Sequence, residues 1–170
     1  MGDLIRKFAV ALILMVGVVG CSDNDNALKI TGPEVSQGPG RVYPITQVNF
    51  ASNDGVQVSA LFGVRSGSRD LPVVILLHDL GGDKNDWLSG TGAFVELLEH
   101  DYAVLAIDLR GHGNTPLPED RQVLELVDLE NSFLDVHAAL TWLQSQDGVD
   151  ANRVAVVGSG SGGNVAYVSL

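Results

Sequence analysis

The sequence predicts an α/β fold built on a doubly wound, mostly parallel sheet. Three observations predict it. Leu71–Leu77, Tyr102–Ile107 and Val154–Val157 are short, continuous apolar runs, as expected of strands covered on both faces. Two stretches of helical character, about Asp86 to His100 and Val123 to Gln146, lie between these runs. An antiparallel hairpin precedes them: Val42 to Phe50 and Val56 to Val64 are strand-like and flank the turn cluster Ser52-Asn53-Asp54-Gly55. The expected order is hairpin then βαβαβα.

Each element has its own justification. In the second helical stretch Leu129, Phe133, Val136, Leu140 and Leu143 recur three or four apart and form one core-facing stripe, with Glu130, Asp135 and Gln144 off it. The chain has 170 residues and is 45% hydrophobic, enough for one domain with a real core. There are 10 Lys plus Arg against 21 Asp plus Glu, a formal charge of -11, which repels phosphate backbones and excludes nucleic acid as a natural partner.

Three further segments complete the organisation. Arg6 and Lys7 precede an uncharged apolar run from Phe8 to Val19, the length of a signal-peptide core rather than of a membrane span. The run ends in Val18-Val19-Gly20-Cys21, which resembles a bacterial lipobox, and Cys21 is the single cysteine. The expectation is a signal peptide over 1–20, a lipid anchor on Cys21 and export to a bacterial membrane, periplasmic or outer-surface. An ordinary cleaved signal peptide with a stray cysteine is the alternative. Residues 21–41, polar and rich in Asp, Asn, Gly and Pro, read as a flexible tether to a domain over 42–170.

The loops at the carboxyl ends of parallel strands are where such sheets bind ligands. Here they read His78-Asp79-Leu80-Gly81-Gly82-Asp83-Lys84, then Asp108-Leu109-Arg110-Gly111-His112-Gly113, then Gly158-Ser159-Gly160-Ser161-Gly162-Gly163-Asn164. Taken together, from about residue 45 to 170, they resemble α/β-hydrolases of the dienelactone-hydrolase-like and serine-aminopeptidase-like esterase branch. The resemblance implies the N-terminal portion of that fold, and hydrolysis of carboxylic esters or related acyl compounds without a cofactor. It also implies that the Leu80 and Ser161 amides form an oxyanion hole. Family members usually have glycine where Asp79 stands, and a carboxylate there would oppose formation of an oxyanion. His78, Arg110 and His112 read as loop architecture, and His100 and His137 as surface or satisfied histidines.

The nucleophile position is where the chain departs from the family. Aligned with the Gly-x-Ser-x-Gly elbow, Gly160 falls on the nucleophile, accepting the turn's positive φ but offering nothing to attack with. A register one residue later makes Ser161 the nucleophile. In the first register Ser161 gives only its amide and Ser159 faces away. No histidine follows the elbow, so the acid and base of a triad are absent from these 170 residues. A fragment of a longer gene product and a truncated remnant both explain this, and an unpaired parallel edge favours the fragment. Metal chemistry through His78, Asp79, Asp83 and Asp108 lacks recognisable ligand spacing. Two functions remain open: an acyl hydrolase, and a noncatalytic module that holds a small molecule in the same pocket.

Overall fold

The computed structural model describes residues 34–36 and 42–169. Its sheet has six strands in the order β1-β2-β3-β5-β4-β6. They are β1 (Glu34–Ser36), β2 (Val42–Ala51), β3 (Gln57–Gly63), β4 (Leu71–Leu77), β5 (Ala103–Ile107) and β6 (Val149–Gly158). β2 and β3 form the expected hairpin, with Phe50 opposite Val58, and Gly55 takes a φ of 88° in its turn. β3 runs antiparallel to β5, while β5, β4 and β6 are mutually parallel.

Strand periodicity explains the two-sided core. Val73, Ile75 and Leu77 of β4 and Ala103, Leu105 and Ile107 of β5 face one cluster. Val74, Leu76, Val104 and Ala106 face the other. Because neighbouring side chains point to opposite faces, a run buried on both sides must be apolar at every position. α1 (Ala93–Glu99) covers the second face with Phe94 and Leu98. α3 (Phe133–Leu143) covers the first with Val136, Ala139 and Leu143, and α4 (Ser161–Val168) with Val165 and Ala166.

The structure differs from the sequence-based expectation in four places. β1 pairs antiparallel with β2, so part of the stretch read as a tether is strand. The first helix starts at Ala93 rather than near Asp86, because the chain turns through Gly92 at a φ of 71°; residues Lys84–Asp86 form a separate 3₁₀ turn capped by the Asp83 side chain. The second helical stretch divides into α2 (Leu126–Glu130) and α3. At the break Asn131 sits at φ -89° and ψ 0°, and the Ser132 hydroxyl donates to the Asp128 carbonyl, local bonding of the kind that competes with helix continuation. Asp135, placed off the core stripe from periodicity, is fully buried, for the reason given below. The signal-peptide and Cys21 expectations lie outside the described residues.

Candidate active site at the carboxyl end of the parallel strands

The turn from β6 into α4 is built around Gly160, which has φ 49° and ψ -119°, a conformation L side chains rarely adopt. Close approach fixes its neighbours. A β-carbon at Gly158 would lie 2.2 Å from the Gly162 carbonyl carbon, and one at Gly162 would lie 2.4 Å from the His78 oxygen. The positions two before and two after Gly160 therefore have no room for a side chain. At Gly163 a β-carbon would meet only Gly158, no nearer than 3.3 Å. The positive φ of Gly160 and the two crowded glycines centre the turn on position 160. Ser161 is the first residue of α4, and the register that makes it the apex is not the one this backbone adopts. Ser159 is exposed, and its amide donates to the Leu77 carbonyl at 3.1 Å.

The Leu80 and Ser161 amides converge on a single atom. Both donate to Asp79 Oδ1, each at 2.7 Å. The carboxylate thus fills the point where two backbone donors meet, and it also fills the space above Gly160. A β-carbon at 160 would lie 2.1 Å from Asp79 Cγ and 2.1 and 2.2 Å from its two oxygens. Asp79 is itself exposed. The Ser161 amide, then the Leu80 amide, hold its carboxyl below the ordinary carboxylate range.

His78 is a fixed part of the scaffold. Its Nε2 accepts the Leu109 amide at 3.0 Å, and its Nδ1 lies 2.7 Å from the Asp79 carbonyl. An acceptor at Nε2 and a donor at Nδ1 define one neutral tautomer. Burial lowers its pKa, since charging it would remove the acceptor and place a cation where water is excluded. The fold therefore binds fewer protons at His78 than the unfolded chain does. The stabilisation is fully present above about pH 6.5 and is lost as pH falls below it. Urea midpoints measured between pH 8 and pH 5 are expected to drop more steeply for the wild type than for His78→Gln.

The second loop is held by two buried ionic networks. Asp108 accepts the Lys84 amide and the Asn114 amide, each at 2.8 Å, and pairs with the buried Lys84 ammonium. Arg110 donates to Asp135 Oδ1 and to Asp54 Oδ2, both at 2.7 Å. Burial pulls the guanidinium pKa down, but the bonds to Asp135 and Asp54 outweigh it and raise the value. His112 bonds its own loop, Nδ1 lying 3.0 Å from the Arg110 carbonyl, and its ring sits 5.0 Å from that of His78. His100 and His137 lie away from this region. His100 bonds the Glu96 carbonyl of α1, and His137 on α3 lies 3.3 Å from the Ser169 carbonyl.

A cleft of about 600 Å³ opens beside these loops. Leu109, Leu126, Leu129, Phe133, Val165 and Val168 supply its apolar wall, and His78, His112, Glu130 and Ser161 are among its polar groups. Leu129 and Phe133, expected in the core stripe, thus serve the cleft. No group of three or more His, Cys, Asp or Glu side chains is placed to hold a metal among the described residues. The fourfold set of His78, Asp79, Asp83 and Asp108 is committed instead to the separate hydrogen bonds described here. Periodicity and motif reasoning missed the mutual fit of Asp79 with Gly160, although an aspartate at one site and a glycine at the other were both visible.

Antiparallel strands β1 to β3 leading into the parallel set β5, β4 and β6, and a glycine-flanked elbow into α4, define a hydrolase-type α/β scaffold. Residues 74–168, more than half of the chain, match the Alpha/beta hydrolase family, and the chain belongs to it. It is 32% identical over 117 residues to the quorum-quenching protein AidA of Acinetobacter baumannii, covering 68% of this chain and 36% of that protein. Among solved structures, the acetyl xylan esterase from Paenibacillus sp. R4 is similar with a TM-score of 0.64 and 25% identity, over 80% of this chain and 47% of the other. The Pyrococcus furiosus esterase Pf2001 is similar with a TM-score of 0.56 and 26% identity, over 73% and 46%. The chain spans about a third of the length of the curated relatives it matches.

Proposed function

We propose that this chain is the N-terminal part of an exported, lipid-anchored hydrolase-fold protein whose cleft holds a small molecule without a serine acyl-transfer step. The observation that carries the reading is the Asp79 carboxylate on the Leu80 and Ser161 amides. In an acyl hydrolase those donors stabilise a developing oxyanion, and loss of a single one costs roughly 10²- to 10³-fold in rate. Here a resident anion occupies both, and an oxyanion would meet a like charge instead of two donors. The apex residue, Gly160, carries no side chain to serve as nucleophile. Ser161 contributes its amide and does not hold the apex.

The anchor belongs to the same proposal. The lipobox-like Val18-Val19-Gly20-Cys21 after an apolar run supports lipidation at Cys21 and attachment to a bacterial membrane, and the net charge of -11 argues against nucleic acid as a partner. Two of the solved structures that the chain resembles are esterases, which supports a small molecule as the occupant of the cleft.

A fluorophosphonate probe tests the reading on the whole protein. The wild type is expected to remain unlabelled, and Ser161→Ala is expected to leave that result unchanged. Labelling of the wild type that disappears in Ser161→Ala would overturn the proposal and make Ser161 a working nucleophile.

A further inference from the structure

The cleft and the carboxylate beside it together specify a charge. Asp79 Oδ1 is satisfied by two amides, which fixes the side chain in one position at little further entropic cost to a ligand. The second oxygen is used by neither amide, the Ser161 side chain also bonds the carboxylate, and the residue is exposed. Ser161 lines the cleft and gives its amide to Asp79, which places the carboxylate beside a residue of the cleft wall. Glu130, also exposed, lies on the cleft wall. Leu109, Leu126, Leu129, Phe133, Val165 and Val168 give the cleft an apolar wall, beside the polar groups of His78, His112, Ser132 and Asn164. Lys84, Arg110, Arg121 and Arg153 are paired with other carboxylates: Lys84 with Asp108, Arg110 with Asp135 and Asp54, Arg121 with Asp128 and Arg153 with Asp150.

We infer that this cleft takes a ligand with a protonated amine head and an apolar body, the ammonium meeting the Asp79 carboxylate and the body lying against the Leu109 to Val168 wall. The inference rests on the absence of serine acyl transfer proposed above and names the ligand class of that same site. Glycine at 160 is what makes the arrangement available, because any β-carbon there would displace the carboxylate. An ester or carboxylate ligand presents oxygen lone pairs to the same spot and is repelled by Asp79, whereas an ammonium presents donors. The chain's charge of -11 adds a long-range bias of the same sign.

Calorimetric titration of the whole protein with n-octylamine, n-octanol and n-octanoate tests this at moderate salt. Octylamine is expected to bind about tenfold or more tighter than octanol, and octanoate weakest, as a charge-assisted contact predicts. Asp79→Asn keeps the shape and an acceptor for the amides, and is expected to remove that preference. Asp79→Gly frees the two amides and is expected to turn the preference toward octanoate. Glu96→Gln, on the exposed side of α1, is expected to change nothing. Equal binding of octylamine and octanol, an octylamine preference that survives Asp79→Asn, or an equal loss in Glu96→Gln would each overturn the inference. The fluorophosphonate result separates this failure from that of the proposed function: an unlabelled wild type with no amine preference sinks only the ligand class.

Discussion

Asp135→Ala is expected to destabilise the protein by about 3–5 kcal/mol, seen as a large fall in the urea midpoint, because removing one partner of a buried ion pair strands the other. Arg110 and Asp135 have side-chain exposures of 1% and 0%. The guanidinium donates to both Asp135 oxygens, and the Arg110 amide donates to Oδ2 at 2.9 Å. Without the carboxylate a buried amide and most of a buried fork lose their acceptors together. Asp54 remains, but its side chain is 32% exposed, so Asp54→Ala is expected to cost only about 1 kcal/mol, nearer to a surface pair. The difference between the two variants is the informative quantity. Equal effects would mean that the guanidinium is solvated in the folded protein. The consequence reaches the cleft as well, since Leu109 and His112 on either side of Arg110 both line it.

That pair also marks where sequence reading stops. Alternation and continuity of apolar residues predict the parallel strands, because a strand between two helical layers has no face left for polar groups, and Val73 to Leu77 divide between two clusters as that argument requires. The elbow was legible for a similar reason: Gly158 and Gly162 are demanded by contacts under 3 Å, and such demands leave a spacing in the sequence. Asp135 was not legible. An aspartate on a helix reads as solvent-facing unless its partner is known, and that partner lies 25 residues away on another loop. The division of the second helix was missed because Leu129 and Phe133 keep helical spacing across a break made by Asn131 and Ser132. Most instructive is Asp79. The sequence shows that a carboxylate would oppose an oxyanion there; only the fold shows it bonded to the amide of Ser161, 82 residues further on. Local pattern carries the scaffold, and the long-range polar pairings that give the site its character do not follow from it.

The pairing of Asp79 with Gly160 leads to the second large effect. Gly160→Ser alone is expected to remain unreactive toward a fluorophosphonate probe. Its β-carbon would fall within about 2 Å of the Asp79 carboxylate, so either the serine or the carboxylate must leave its place. A non-glycine residue at φ 49° and ψ -119° also costs roughly 1–3 kcal/mol. Asp79→Gly alone opens the two amides but supplies no nucleophile. The double variant Asp79→Gly/Gly160→Ser restores both parts, with a hydroxyl at the apex beside the free Leu80 and Ser161 amides. It is expected to label where neither single variant does, by a margin well beyond tenfold, since nucleophile and oxyanion donors act as a unit and their effects do not add. The measurement is made on the whole protein, because the 170 residues hold no histidine after the elbow to serve as base. Labelling in Gly160→Ser alone would mean that Asp79 yields its place freely, and would remove the basis for treating the carboxylate as a fixed part of the site. No labelling in the double variant, with its fold intact, would mean that the rest of the protein does not support acyl transfer, and that the proposed loss of that step extends beyond these two residues.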